Sequence, residues 1–319
     1  MKIRRHIMVW VQTQSIKKVC RAIESLPSFK SINLVDVGAA GSIEPRWKSF
    51  SRFIKYVGFE PDERSSKLLH SNSNFFGYVI YPFGLWSTSG KISFNLTSDP
   101  QLSSFFTPSY EILKKFPNSA RFSILGTTTI ECKKLDVIDC DKDFIKIDVQ
   151  GGELEILNGA RQSLQSVIGC EIEVEFLPLY TGQPLFGDIS KWLTEENFEF
   201  IDFANLRRWE RAKLVGLGQC VFGDALFLRT PEYMVSFQGP DYIERISKYF
   251  FVCMLYGKLD LIDSTISLFE QKEKEIFSEF YINLSSLKLK NEKILIINNR
   301  VVNRILQLFG REFSSHLLT

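Results

Sequence analysis

Two short segments of this sequence combine glycine and acidic residues at a spacing that suits a bound nucleoside. The first has the pattern Asp-x-Gly-x-x-Gly over residues 36–41, after an apolar strand-like run. Gly38 and Gly41 allow a tight turn that brings backbone amides, including that of Ala39, close to a ligand. The second segment places Glu60 about twenty residues further on, where a carboxylate can accept hydrogen bonds from both ribose hydroxyls. Glu60 is therefore a candidate ribose ligand.

The residues of this turn argue against a dinucleotide cofactor. The first glycine of a dinucleotide fingerprint is missing, and Asp36 stands where a pyrophosphate would meet a negative charge. S-adenosylmethionine has no such conflict, because Asp36 can face its ammonium group directly or through water. We therefore expect S-adenosyl-L-methionine as the cofactor. An NAD-dependent oxidoreductase on a similar fold stays open as an alternative, which tight NAD binding would support.

A second acidic motif follows another strand-like run, Lys146-Ile147-Asp148-Val149-Gln150-Gly151-Gly152-Glu153. Asp148 ends a strand that we expect beside the first one, so it should project toward the same cleft as Gly38. An acid at the end of a buried strand is costly to keep, which favours a functional role for Asp148. Glu153 opens a helix, and both a helix-dipole role and a functional role remain open for it.

A third run, Glu171-Ile172-Glu173-Val174-Glu175, predicts three carboxylates on one face of a strand. Either this face is solvated, as on an edge strand, or its carboxyl end lines a site, with Glu175 nearest that end. A methyl acceptor needs a general base, and the three histidines lie in no motif. Asp148 and Glu175 are therefore the candidate catalytic residues, acting directly or by holding a divalent cation. The metal is the less favoured option, and no residue is assigned as a metal ligand.

The order of apolar runs predicts a doubly wound α/β domain. Strand-like and helix-like segments alternate, which is typical of a mostly parallel sheet with helices on both faces. The last two strands can pair antiparallel, so we expect a Rossmann-like sheet of about seven strands with an antiparallel last strand. The expected strands are 32–37, 53–59, 78–81, 144–149, 168–176, 198–203 and 223–228, and helices are expected from near residue 43, at 62–70, at 153–166 and at 188–196.

Three segments make up the expected domain organisation. Residues 1–30 form an N-terminal helical cap, residues 31–230 form the cofactor-binding domain, and residues 231–319 form a mainly helical C-terminal extension. Between Gly84 and Leu135 the strand-like pieces are shorter, which indicates an insertion or a lid. The extension is a candidate surface for homo-oligomer formation.

The composition excludes several classes of protein. The 319 residues carry a net charge of +2, which gives no support for nucleic acid as a partner. The six cysteines form no C-x-x-C pair, which argues against zinc and suits a reduced compartment. No stretch of about 18 uncharged apolar residues occurs, so no transmembrane segment is expected. We expect a globular, cytoplasmic protein.

The quoted motifs together resemble the FkbM-type methyltransferases, a branch of the Rossmann-like S-adenosylmethionine enzymes. The resemblance spans about residues 30 to 230 and rests on DVGAAGS, GFEP, FIKIDVQGGELEILNGA and EVEFLPLYTGQPLF. It implies that Asp36, Gly38 and Gly41 line the methionyl side, that Glu60 binds the ribose, that Phe83 and Gly84 form the adenine edge, and that Asp148 lies near the sulfonium. The implied reaction is O-methylation of a hydroxyl on a sugar, glycan or secondary metabolite, so the expected partner is a small-molecule or glycan acceptor. A noncatalytic scaffold that retains the cofactor fold is the alternative.

Overall fold

The computed structural model describes residues 16–39, 43–62, 75–211 and 218–285. Its strands, numbered in chain order, are β1 (Ile32–Val37), β2 (Ile54–Phe59), β3 (Gly77–Tyr81), β4 (Gly84–Leu85), β5 (Gly90–Thr97), β6 (Ile124–Lys133), β7 (Phe144–Ile147), β8 (Gly169–Glu175), β9 (Phe198–Trp209) and β10 (Gln219–Arg229). Its helices are α1 (Ile16–Glu24), α2 (Pro45–Lys48), α3 (Tyr110–Leu113), α4 (Glu153–Asn158), α5 (Phe186–Glu195), α6 (Pro231–Ser236), α7 (Tyr242–Tyr256), α8 (Leu259–Ser267) and α9 (Gln271–Ile276). Residues 278–285 are also helical.

The main sheet has seven strands in the order β3-β2-β1-β7-β8-β10-β9. Neighbouring strands from β3 to β8 run parallel, whereas β10 runs antiparallel to both β8 and β9. The predicted fold class is therefore confirmed, including the antiparallel last strand. The strand order reverses between β1 and β7, and in open α/β sheets the crevice at such a reversal is where ligands bind.

Both faces of the sheet are covered. One face packs against α4 and α5 through a core that includes Val35, Ile145 and Ile172. The other face packs against α1, α7 and residues 278–285, with Leu34, Phe144 and Leu226 in contact with that helical layer. The described part of the C-terminal extension therefore lies on the sheet itself and shares its core.

The predicted helix over 153–166 is wrong in its second half. Helix α4 ends at Asn158, and a short 3-10 turn follows at Ser163–Gln165. A Cβ on Gly159 would lie 2.2 Å from the carbonyl oxygen of Trp86, so the chain from the insertion passes directly against this position. The Asp136 carboxylate then accepts the N–H groups of residues 162 and 163, which starts the new turn.

The segment between β3 and β7 forms its own small sheet, in the order β4-β6-β5. The sequence predicted an insertion or a lid over this segment, and the structure shows a separate sheet there. Strands β5 and β6 pair antiparallel, and a small apolar cluster of Phe94, Ile130 and Cys132 packs against Trp86 and Phe105. The predicted helix over 62–70 and the predicted helical content beyond residue 285 lie outside the described residues.

Candidate active site

The turn after β1 lies at the junction of three strand ends. Gly38 has a φ of +79°, and a Cβ placed on it would lie 1.9 Å from the carbonyl oxygen of Asp148. The N–H groups of Gly38 and Ala39 donate to the carbonyl oxygen of Phe59, at 3.0 and 3.1 Å, and the N–H of Asp148 donates to Val37. Glycine is required here because both the left-handed backbone and the close approach exclude a side chain. The turn thus ties the carboxyl ends of β1, β2 and β7 together.

A cleft opens where these strand ends meet. The space inside it, with its mouth and the open solvent there included, is about 550 Å³. The predicted cofactor residues that line its wall are Gly38, Glu60, Gly84 and Asp148. Those that do not line it are Asp36, Ala39 and Phe83. Gly41 lies outside the described residues.

The insertion supplies the opposite wall of the cleft. Phe94 and Phe105 bring aromatic surface to it, and Ser103 brings a hydroxyl. Within the described residues, Ser103 and Ser104 are buried, and the Ser104 hydroxyl donates to the carbonyl oxygen of Gln150 at 2.7 Å. The loop that carries Ser103 and Ser104 is therefore folded onto the cleft.

Glu60 stands directly after β2 and is almost fully buried. Its Oε1 accepts the N–H of Asp62 at 2.7 Å. Burial raises the pKa of Glu60 to about 7, although the Asp62 N–H acts in the other direction. A buried carboxylate at the wall of a cleft is stabilised by a ligand that donates hydrogen bonds to it, as paired ribose hydroxyls would.

Phe83 and Gly84, predicted as the adenine edge, have different surroundings. The Phe83 ring packs against Phe59 and Tyr81, with ring centroids 5.6 and 5.4 Å apart, and the Lys133 Nζ lies 4.4 Å from its centroid. Gly84 lies on the cleft wall itself. Of these two residues, only Gly84 lines the cleft, and Phe83 packs behind it against Phe59 and Tyr81.

Asp36 belongs to an ion-pair network on the sheet face that α7 covers. Its Oδ2 accepts the hydroxyl of Tyr56 at 2.8 Å, and its Oδ1 lies 3.8 Å from the Nζ of Lys146. Burial raises the pKa of Asp36, with Lys146 opposing that effect. The same lysine lies 3.4 Å from Asp148 Oδ2. Burial disfavours the charge on Lys146, but Asp36 and Asp148 outweigh it and raise the lysine pKa well above its usual value.

Asp148 is the accessible acid of this network. Its side chain is 35 % exposed, whereas that of Asp36 is only 9 % exposed. Because Asp148 lines the cleft and has a lysine behind it, it can accept a proton from a molecule in the cleft. This position agrees with the order of strands that the sequence predicted, since β7 pairs directly with β1.

Gln150 is a cleft residue that the sequence reasoning did not single out. Its Nε2 donates to Glu173 at 2.6 Å and to Asp148 at 3.3 Å. The sequence offers only a weak signal for it, its place between Asp148 and a glycine pair. The neighbouring Glu153 holds the same loop, because its Oε1 accepts the N–H groups of Val149 and Gly151 at 3.1 Å each. Burial raises the pKa of Glu153 to about 7.

The three acids of β8 are all buried, which excludes the reading of an edge strand with a solvated face. Glu171 accepts hydrogen bonds from Arg46 at 2.8 Å and from the Tyr256 hydroxyl at 2.7 Å. Burial raises the pKa of Glu173 and of Glu175 well above the usual range. Glu175 does not line the cleft, so the structure does not bring it together with Asp148 at the wall.

Two further aromatic side chains, Tyr180 and Trp209, do not line the cleft. Tyr180 is buried, and Trp209 packs with Phe116 and Phe122 in a separate apolar cluster. Among the described residues no group of three or more His, Cys, Asp or Glu side chains could hold a metal ion. In the same part of the chain no helix is long and apolar enough to cross a membrane.

The sheet order, the glycine turn after β1 and the acids after β2 and β7 define a Rossmann-like nucleoside-cofactor protein. Residues 36–200, just over half of the chain, match the sequence model described as the methyltransferase FkbM domain. The chain therefore belongs to the FkbM methyltransferase family, whose members share the fold of the S-adenosylmethionine-dependent methyltransferases. A search of curated proteins finds no match.

The solved structures that match this chain are distant from it in sequence and in structure. An uncharacterized protein from Listeria monocytogenes serotype 4b is 11 % identical over 86 % of this chain and 98 % of its own, with a TM-score of 0.34. Precorrin-6y C5,15-methyltransferase from Geobacter metallireducens is 9 % identical over 72 % of this chain and 94 % of its own, with a TM-score of 0.32. The human methyltransferase 10 domain containing protein is 10 % identical over 67 % of this chain and 79 % of its own, with a TM-score of 0.31. At these TM-scores the similarity assigns no ligand or substrate to the chain.

Proposed function

We propose that this protein binds S-adenosylmethionine in the cleft and methylates a hydroxyl group of a sugar, glycan or secondary metabolite. The observation that carries the proposal is the convergence of Gly38, Glu60 and Asp148, from three adjacent strand ends, on one cleft. The family's usual reaction supports the choice of a hydroxyl acceptor. A small-molecule or glycan acceptor is therefore the proposed partner.

The residues of the cleft fit the proposed cofactor. There is no room for a Cβ on Gly38, which lines the cleft. A ligand can therefore approach the backbone of this turn directly. Glu60 is a buried carboxylate at the cleft wall, and ribose hydroxyls would donate to it. Acidic side chains at the wall also suit a cofactor that carries a positive charge.

When bound, S-adenosylmethionine supplies the methyl group, and the carbon–sulfur bond breaks as the acceptor oxygen forms its bond to that carbon. Asp148 is the proposed general base that takes the proton of the acceptor hydroxyl. The Nζ of Lys146 lies 3.4 Å from Asp148 Oδ2 and holds this carboxylate in place. Glu175 is the weaker candidate for this role, since it is buried away from the wall.

Calorimetric titration with S-adenosylmethionine tests the cofactor site. The wild type is expected to bind, and Glu60→Ala is expected to bind about 10 to 100 times more weakly, because it loses hydrogen bonds to a charged acceptor. Glu195→Ala, which removes an exposed acid on α5, is the matched control and should bind like the wild type. Absence of binding by the wild type would refute the proposal.

Transfer of tritium from methyl-labelled S-adenosylmethionine to a panel of sugars and glycosides tests the reaction. Asp148→Asn keeps the size of the side chain but removes the base, so transfer should fall about 10²- to 10⁴-fold. If the wild type binds the cofactor but labels no acceptor, the alternative of a noncatalytic, partner-binding protein gains support. Label transferred to nitrogen instead of oxygen would refute the O-methylation part alone.

A further inference from the structure

The side chain and backbone of Gln150 connect the cleft to three other parts of the fold. Its φ is +59°, a left-handed conformation that is unfavourable for a residue with a side chain. Its carbonyl oxygen accepts the hydroxyl of Ser104 from the insertion at 2.7 Å, and its Oε1 lies 3.1 Å from the Tyr180 hydroxyl. A strained backbone conformation persists only where several surrounding contacts hold it, and such conformations are common at functional sites.

The amide nitrogen of Gln150 lies between two carboxyl groups. It donates to Glu173 Oε2 at 2.6 Å and to Asp148 Oδ1 at 3.3 Å, and an amide has two hydrogens for this purpose. Asp148 Oδ2 in turn faces Lys146 at 3.4 Å. Both oxygens of the proposed base are thus held by donors, one on the loop and one on the strand.

We infer that Gln150 is a positioning residue for methyl transfer, whose amide fixes the Asp148 carboxylate at the cleft wall. This inference rests on the proposed function, in which Asp148 is the base. A donor to the charged form of a carboxylate stabilises that form. A neutral amide also separates Asp148 from Glu173 without adding another negative charge to an acidic region.

Glu173 does not compete for the role of base. It is buried and does not line the cleft, and burial together with the neighbouring Asp148 raises its pKa well above the usual range. The charged or titratable groups of the described residues that interact with Asp148 come from several packed elements: Asp36 on β1, Glu60 after β2, Lys146 on β7, Glu153 on α4, Glu173 and Glu175 on β8, Tyr180 after β8, and Asp224 on β10. Lys146 is the one cation among these groups, and the others are acids apart from Tyr180.

The direct test is the titration of the Asp148 carboxyl carbon by carbon-13 NMR in cofactor-free protein, with Asp148→Asn to assign the signal. In Gln150→Ala the titration midpoint should move to higher pH by roughly half a unit to one unit. Alanine is subject to much the same left-handed strain as glutamine, so the backbone effect largely cancels. In Gln150→Glu, where a carboxylate replaces the amide, the shift should be larger. An unchanged midpoint in both variants would overturn the inference.

Two controls separate this role from simple support of the loop. Tyr180→Phe and Ser104→Ala each remove one contact to Gln150 but leave its amide nitrogen in place. Both should lower the melting temperature without moving the Asp148 midpoint. If they move it as much as Gln150→Ala does, Gln150 acts only through the loop, and the inference is wrong.

Kinetics give a second readout once an acceptor has been found. Gln150→Ala should lower kcat about tenfold, with the acid limb of the pH profile moved upward, while KM for S-adenosylmethionine changes much less. A wild type that neither binds the cofactor nor transfers methyl refutes the proposed function and leaves the NMR result standing by itself. If Gln150→Ala fails to fold, the midpoint in Gln150→Glu decides the question.

Discussion

Replacement of Gly38 by alanine tests whether the β1 turn is as constrained as its geometry indicates. The substitution adds two separable costs. A left-handed alanine costs about 1–2 kcal/mol, and overpacking of a dense region costs about 1–3 kcal/mol more. The added Cβ would lie 1.9 Å from the backbone carbonyl oxygen of Asp148, which cannot rotate away as a side chain would. The total loss of unfolding free energy should therefore be about 2–5 kcal/mol.

Two other glycines allow the costs to be measured apart. Gly182 has a φ of +77°, nearly that of Gly38, but a Cβ there would meet nothing within 4 Å, so Gly182→Ala should show the strain alone. Gly187 lies in α5 with open space around its Cβ and no positive φ, so its replacement by alanine should leave stability unchanged or raise it by up to about 1 kcal/mol.

Urea unfolding followed by circular dichroism gives the three free energies, and calorimetry gives the cofactor affinity of each variant. Gly38→Ala should be the least stable and the only one of the three that loses S-adenosylmethionine binding, because a shift of Asp148 opens the junction of β1, β2 and β7. The reasoning fails if Gly38→Ala is no less stable than Gly182→Ala. It also fails if Gly38→Ala binds the cofactor as tightly as the wild type.

The remaining predictions concern a pH dependence and a buried hydrogen bond. The pKa of Glu60 is about 7 in the cofactor-free protein, so binding that needs its ionised form should weaken below about pH 7, by up to about tenfold per pH unit. Glu60→Gln should remove this dependence in calorimetric titrations, and a wild-type affinity that is constant from pH 5 to 8 would contradict the prediction. Tyr256→Phe removes a donor to the Glu171 carboxylate and should cost about 2 kcal/mol in urea unfolding. Tyr249→Phe removes a donor to a neutral carbonyl and should cost about 1 kcal/mol, so equal losses would contradict the reasoning.

The sequence predicted the sheet and much of the cleft because both depend on periodic or local patterns. Apolar runs gave the strands, and the parallel topology then required the residues after β1, β2 and β7 to meet at one edge. Gly38, Glu60 and Asp148 meet there for that reason. The prediction was less successful at element ends, where α4 stops early because Trp86 passes against Gly159.

Contacts between distant segments were not accessible from the sequence. Gln150 has no motif of its own, and its importance arises from Glu173, Tyr180 and Ser104, which reach it from β8, from the loop after β8 and from the insertion. Likewise, the alternation of acids along β8 left open a solvated face or a site at the carboxyl end of the strand, whereas the structure buries Glu171 against Arg46 and Tyr256. The pairing of a buried charge depends on tertiary partners, which a strand pattern does not contain.

The charged row on the sheet links the cleft to the C-terminal helices. Asp36, Lys146 and Glu171 are direct neighbours in register on β1, β7 and β8, with the lysine between the two acids. A buried row of this kind is stable only if each member keeps its partners. For Glu171, one of those partners is Tyr256 at the end of α7, which lies beyond the residues that match the family. Helix α7 therefore supplies a hydrogen-bond donor to Glu171, at one end of the row, while Lys146 in its centre contacts Asp148 at the cleft. Substitutions in α7 that remove this donor should therefore alter the cleft, although α7 does not line it.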